Sequence, residues 1–122
     1  MPYAYRKNER LRKNNEFVSA MKGKRLSFDG LSLFYTRNAT DNFRVGISVS
    51  KKLANAVGRN RMKRRIRNCA MKILSGHTLG YDLVFVARQG LPAADYKQIF
   101  HAVETVLLRS ALRDRKPEGA QT

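Results

Sequence analysis

Apolar positions along the chain switch between a spacing of about 3.6 residues and strict alternation, and the switches mark out seven elements. Over 15–22, Phe17 and Met21 share one helical face at i,i+4 with Val18 beside them; Asn14 or Asn15 supplies a cap and Gly23 a stop. A short strand over 25–28 runs into Asp29-Gly30, which is tight-turn chemistry. Segments 31–36 and 43–49 read as further strands joined by a hairpin loop at 38–42. In the second of them Phe43, Val45, Ile47 and Val49 alternate with Arg44, Gly46 and Ser48, the pattern of one buried face. After a basic connection over 50–58, a helix opening at Asn55 is predicted to run to about 75, with Gly76 as its stop. Segment 81–87 is the most hydrophobic strand and is predicted to lie centrally. Asp95 opens a last helix over 96–112, with Ile99, Val103, Val106, Leu107 and Ser110 on its packing side.

The order α-β-β-β-α-β-α implies an α+β fold, most economically a two-layer α-β sandwich. One domain spans 1–122, with 1–13 predicted as a mobile basic arm and 113–122 as a disordered tail.

Composition narrows the function classes. A 43% hydrophobic fraction in 122 residues supports one modest core. Cys69 is the only cysteine, and His77 and His101 are the only histidines, so no zinc motif with set ligand spacing exists. No apolar run approaches the roughly 20 residues of a membrane span, and the N-terminus is too polar for a signal peptide. A cytoplasmic protein is expected.

Charge changes the picture most. Twenty-five Lys and Arg against nine Asp and Glu give a net +16. Between Asp41 and Asp82 no acid occurs, while ten bases do: Arg44, Lys51, Lys52, Arg59, Arg61, Lys63, Arg64, Arg65, Arg67 and Lys72. A second basic cluster runs over 6–25, interrupted by Glu9 and Glu16. One basic side and one ordinary side is the distribution of a domain that binds a polyanion.

On a wheel of 100° per residue, Met62, Ile66, Cys69, Ala70 and Ile73 of the central helix form an apolar stripe. Asn60, Lys63, Arg64 and Arg67 lie opposite, with Arg61, Arg65 and Lys72 along one flank. Six of the nine residues 59–67 are basic, and like-charge pairs such as Arg61–Arg65 oppose the helix. Mixed charges would dissolve a helix as well, so uniform sign points to a phosphate backbone lying along it. Arginine's planar fork suits phosphate oxygens in pairs. Asn60 is a neutral amide among cations; it orients its neighbours, contacts RNA, helps ligate a hydrated Mg²⁺ shared with phosphates, or simply solvates the first turn. No nucleophile with a base and no paired carboxylates accompany a histidine, so hydrolysis by this polypeptide alone is not expected.

The stretch Arg44-Val-Gly-Ile-Ser-Val-Ser-Lys-Lys52, followed by Asn55-Ala-Val-Gly-Arg-Asn-Arg-Met-Lys-Arg-Arg-Ile-Arg67, strongly resembles the protein-subunit family of bacterial ribonuclease P. Weaker resemblance extends over about 10–112. It implies a ribosomal protein S5 domain 2-like sandwich whose βαβ crossover around the basic helix is left-handed, against the usual rule. It implies a protein that binds a catalytic RNA and the 5′ leader of precursor tRNA, and promotes Mg²⁺-dependent removal of the leader by that RNA. Lys51, Lys52, Arg59, Asn60, Arg61, Lys63, Arg64 and Arg67 would contact the catalytic RNA. Phe17, Met21 and Tyr35 would line a leader cleft between the first helix and the sheet. Where relatives often carry a second aromatic on the first helix this chain has Met21, which stacks less well on a base. Without the resemblance, Phe17 and Tyr35 read by default as core, like Phe34, Phe43, Phe85 and Phe100. RNA partners are implied, with neither a membrane nor an obligate protein partner.

Three rival classes share the charge. A ribosomal-type RNA binder lacks any role in cleavage. A DNA-architectural protein needs a groove-reading element or wedge, which is not evident here. A membrane-surface helix needs Trp or Phe anchors that the apolar stripe lacks.

Overall fold

A computed structural model of the chain describes residues 14–38, 42–75, 80–89, 91 and 95–110, the first four as backbone alone. The predicted arm and tail, the loop tip at 39–41, Gly76 and His77 lie outside these residues. The elements are α1 (Asn14–Met21), β1 (Lys24–Phe28), β2 (Leu31–Arg37), β3 (Arg44–Val49), α2 (Ala56–Leu74), β4 (Tyr81–Ala87) and α3 (Tyr96–Leu108), in the order expected.

Local chemistry sets the boundaries. Asp29 and Gly30 both take positive φ, 53° and 87°, which closes the β1–β2 turn with a hand that suits twisted strands. The Gly58 N–H donates to Asn55 Oδ1 at 2.8 Å and caps α2. At α3 the cap is reciprocal: Gln98 N–H donates to Asp95 Oδ1 at 2.8 Å, and Asp95 N–H donates to Gln98 Oε1 at 2.9 Å. Helix α3 is shorter than its apolar period suggested. The Ser110 hydroxyl turns back to donate to the Val106 carbonyl, and the Ser110 N–H closes a tighter bond to Leu107 O, ending the regular helix at Leu108.

The sheet order is β1-β2-β4-β3. The hairpin expected between β2 and β3 is therefore absent: β4 lies between them, antiparallel to β2 and parallel to β3. The reason is burial. From Tyr81 to Phe85 every side chain of β4 is enclosed, so this strand needs cover on both faces and takes a central place. The β3–α2–β4 segment is thus a parallel crossover between neighbouring strands, carried by the basic helix.

One sheet face, built from Leu31, Leu33, Tyr35, Val45, Ile47, Val49, Leu83 and Phe85, packs against α2 and α3 in the main core. Helix α1 lies on the other face, where fully enclosed Ala20 meets Val84, flanked by half-buried Phe34 and Val86. The two-layer sandwich thus carries one short helix on its second face.

Candidate nucleic-acid interface

The two halves of α2 do different work. Met62, Ile66, Cys69 and Ala70 are buried as the wheel required, and so are Met71 and Leu74, which the wheel did not place. The run from Cys69 to Leu74 is apolar on nearly every side because α3 packs against it. A helix segment hydrophobic all round is a buried one, and that run was the signal available in the sequence. Lys72, the one base in the run from Cys69 to Leu74, is drawn to α3: Nζ donates to the Tyr96 hydroxyl at 3.2 Å and lies 5.5 Å from the ring centroid. The outward basic surface therefore belongs to the part of α2 before Cys69.

There Asn60, Arg61 and Arg64 are exposed, while Arg59, Lys63, Arg65 and Arg67 are half-buried along the flanks. Arg59 also serves the helix start, its Nη1 donating to Ala54 O at 3.0 Å. Lys51 and Lys52, both exposed, sit in the turn that leads from β3 into α2. That turn is held by the Leu53 N–H donating to Ser50 O, and the Lys52 N–H donating to Ser50 Oγ, each at 3.1 Å. Exposed Val57 (67%) completes the outer face beside Asn60 and Arg61. The predicted RNA-contacting residues thus form a basic wall that runs from the turn along α2 as far as Arg67.

The donor set beside Asn60 does not fit a metal ion held by protein alone. Its neighbours are cations, and no cluster of three His, Cys, Asp or Glu side chains occurs among the described residues. Cys69 beneath the wall is fully enclosed; burial pushes its thiol above the usual range, against weaker opposing pulls from Tyr96 and Lys72.

The second predicted surface, between α1 and the sheet, needs a correction. Tyr35 lies at the same parity as Leu31 and Leu33, pairs with Leu83, and belongs to the main core on the face away from α1. Phe34 is the β2 aromatic that packs toward α1. Side chains alternate along a strand, so a shift of one residue moves an aromatic through the sheet. The alternation Leu31, Leu33, Tyr35 was legible, but the motif match outweighed it. The Phe17 side chain lies outside what the structure describes. Met21 is on α1 and exposed, as is Val18.

Around Phe34 the α1 face carries further groups that sequence reasoning missed. Arg25 of β1 sits over the Phe34 ring, Cζ 5.8 Å from the centroid. Ser32, fully enclosed, shares a 2.7 Å hydrogen bond with Ser27 and accepts one from Arg88 Nε at 3.0 Å. Exposed Ser48 pairs in register with Val86 and leads on to Lys51 and Lys52. The result is an apolar floor of Phe34 and Val86 with bases around it, Arg25 on the β1 side and both Arg88 and the lysine turn at the sheet end where Val49 pairs with Ala87. No helix among the described residues is long and apolar enough to cross a membrane.

Comparison with known proteins bears on this geometry. The family model described as Ribonuclease P matches residues 5–111. The chain is similar to the ribonuclease P protein component of Clostridium novyi (strain NT), 44% identical over 110 residues, which covers 88% of this chain and 97% of that protein. It is also similar to the solved structure of a Staphylococcus aureus RNase P protein mutant with defective mRNA degradation activity: TM-score 0.79, 38% identity, covering 85% of this chain and 89% of that one. The RNase P protein of Thermotoga maritima superposes with TM-score 0.75 at 28% identity, covering 83% of this chain and 96% of that one.

Proposed function

Because the chain belongs to the ribonuclease P protein family, and is thus a protein component of the enzyme that processes tRNA 5′ ends, we propose that its basic α2 wall grips the catalytic RNA while its α1 face receives the leader of precursor tRNA. The observation that carries this reading is the exposed, acid-free wall of Lys51, Lys52, Asn60, Arg61 and Arg64, flanked by half-buried Arg59, Lys63 and Arg67. Guanidinium forks meet phosphate oxygens two at a time, and each phosphate neutralised releases counterions, so affinity falls steeply with salt. Uniform sign along α2, a cost to the free helix, then becomes a gain in the complex.

On the α1 face, Phe34 and Val86 offer a stacking floor and Arg25, Arg88, Lys51 and Lys52 the charges that hold a single strand's backbone. Stacking plus charge reads any base, which suits leaders of unrelated sequence. Met21 on α1 forms the opposite lip in this reading, with Phe34 in the place first given to Tyr35; Phe17 stays a leader contact by motif position alone. In this reading the RNA performs the hydrolysis with Mg²⁺ that it would hold, and Asn60's amide oxygen would contribute at most as an outer partner shared with phosphates. Residence in the cytoplasm, beside precursor tRNAs, is part of the same reading.

The test is precursor-tRNA cleavage at low Mg²⁺ by the cognate RNA, alone and with the protein. Marked stimulation is expected, and purified protein free of RNA should not cleave. Arg61→Gln with Arg64→Gln should abolish most of the stimulation and lower the slope of log affinity against log salt by roughly 1.4 to 1.8. Full stimulation by that variant, or none by the wild type, would overturn the reading.

A further inference from the structure

Strand β1 lies at the edge of the sheet and pairs with β2, so its other backbone edge is open. None of its five residues is buried. Its sequence, Lys24-Arg25-Leu-Ser-Phe28, places two bases ahead of a single hydroxyl and carries no acid. The exposed serines among the described residues are Ser19, Ser27, Ser48, Ser50 and Ser75, and of these Ser27 alone has two bases within the three positions before it.

That hydroxyl stands between two guanidinium groups. Alternation along β1 puts Ser27 on the same side as Arg25, about 7 Å further along the strand. Ser27 is the register partner of Ser32; their hydroxyls share a 2.7 Å hydrogen bond, and Ser32 accepts from Arg88 Nε at 3.0 Å. One hydroxyl thus separates the Arg88 guanidinium from Ser27 Oγ. Arg25 and Arg88 are both exposed, and no carboxylate among the described residues pairs with either. Fully enclosed Ser32 holds Ser27 and Arg88 in this arrangement.

Each feature is one that a transferred phosphate requires. An enzyme that phosphorylates serine holds the chain extended around it; β1 is extended already and offers an unpaired edge. Bases just upstream suit an acidic substrate groove, the charge pattern by which such enzymes choose among serines. Once attached, a phosphate brings about two negative charges and three acceptor oxygens, which guanidinium forks take up in pairs.

We propose that Ser27 is a phosphorylation site and that the phosphoserine is clamped by Arg25 and Arg88. In the transfer, Ser27 Oγ bonds to the γ-phosphorus of a nucleoside triphosphate while the bond from that phosphorus to the β–γ bridging oxygen breaks. A nucleoside diphosphate leaves, and the hydroxyl proton passes to a base on the protein kinase. The clamp draws Arg25 off the Phe34 ring and neutralises two of the cations around it. The consequence for binding rests on the leader reading of the α1 face: phosphorylation lowers affinity for leader-bearing precursor and leaves the α2 wall untouched.

The full-length protein is incubated with ATP, Mg²⁺ and a serine kinase that selects Arg and Lys at the second and third positions before its target. One phosphate per chain is expected, assigned to Ser27 by fragmentation of the peptide over 26–37, and none on Ser27→Ala. The phosphorus resonance of the product should titrate at lower pH than that of the same phosphopeptide free in solution, because the guanidinium groups favour the dianion. Arg88→Gln keeps the bases before the serine; it should move the titration back toward the peptide's with the circular dichroism spectrum unchanged. A native protein that takes no phosphate at Ser27, or a phosphate that titrates as in the peptide, overturns the proposal. So does absence of the phosphopeptide from protein recovered from both growing and resting cells. For the clamped form, affinity for leader-bearing precursor should drop about tenfold or more while affinity for the RNA subunit holds. Unchanged precursor affinity of that form would instead sink the leader reading of this face and leave the modification site standing.

Discussion

Arg44 grips Asp82 with both arms of its guanidinium, Nε to Oδ1 and Nη2 to Oδ2, each at 2.8 Å. The two residues are register partners across the parallel β3–β4 pair, and Asp82 is 5% exposed. Asn38 Nδ2 adds a third donor to Oδ1 at 2.9 Å and also reaches Asn42 O at 3.0 Å, so one carboxylate ties the start of β4 to β3 and to the residue that follows β2.

Removing that carboxylate strands a guanidinium inside a largely enclosed site. Asp82→Asn is expected to lower stability by about 2 to 4 kcal/mol, read as a drop in urea midpoint with little change in slope. RNA affinity measured well below the midpoint should be unchanged, because α2 does not touch the pair. A loss below about 0.5 kcal/mol would mean that the bridge contributes little.

Phe34 and Tyr35 occupy opposite faces, and substitutions should separate them. Phe34→Leu keeps most of the packing on Val84 but removes the ring, so binding of precursor with a leader should weaken about tenfold, and binding of mature tRNA not at all. Tyr35→Phe should leave leader affinity as it was. Equal effects of the two substitutions on leader affinity would contradict the assignment of faces.

At Gly23 the space is too small for any side chain. Gly23→Ala has to push the end of α1 away from β2, at an expected cost of about 1 to 3 kcal/mol. Since α1 borders the leader face and α2 does not, the variant should lose discrimination for leader-bearing substrate while its affinity for the RNA subunit holds. Thermal unfolding with parallel binding assays checks both halves of that statement.

Cys69 carries a pH prediction. Its thiol is fully enclosed and burial holds its pKa above the ordinary value. The folded state therefore keeps a proton that the unfolded chain gives up. The stabilisation is complete below the unfolded pKa and is lost as pH rises from there through the folded one. Unfolding free energy should fall over that alkaline range less steeply in Cys69→Ala than in the wild type. A thiol reagent at neutral pH should label the native protein only as fast as it opens.

How much of this was legible in the sequence depends on the range of the interaction that decides it. Caps and turns are local, so Asn55, Asp95 and the Asp29-Gly30 turn were readable where they stand. The α2 wall was readable because helix period and charge lie in one contiguous stretch. The position of β4 was legible only as a tendency: its hydrophobicity predicted a central place, yet the partner order came from pairing with β2 and β3 across more than 30 residues. Phe34 was taken for core because a half-buried aromatic and a buried one look alike until the second face is covered. Arg25 and Arg88 became visible as companions of Phe34 and Ser32 once strands far apart in sequence were paired. Lys72 looked like part of the basic flank until Tyr96, 24 residues away, claimed its ammonium.

The central place of β4 has a consequence for synthesis on the ribosome. The strands emerge as β1, β2, β3, but the sheet order sets the fourth between the second and third. Until residue 87 has left the tunnel, β2 lacks one neighbour and β3 has none, each exposing unpaired backbone and an apolar face. The basic half of α2 is out by then, since it ends some 20 residues earlier. A nascent chain thus displays its polyanion grip before it has a closed core, and the last strand to insert is the one that turns an adhesive intermediate into a folded protein.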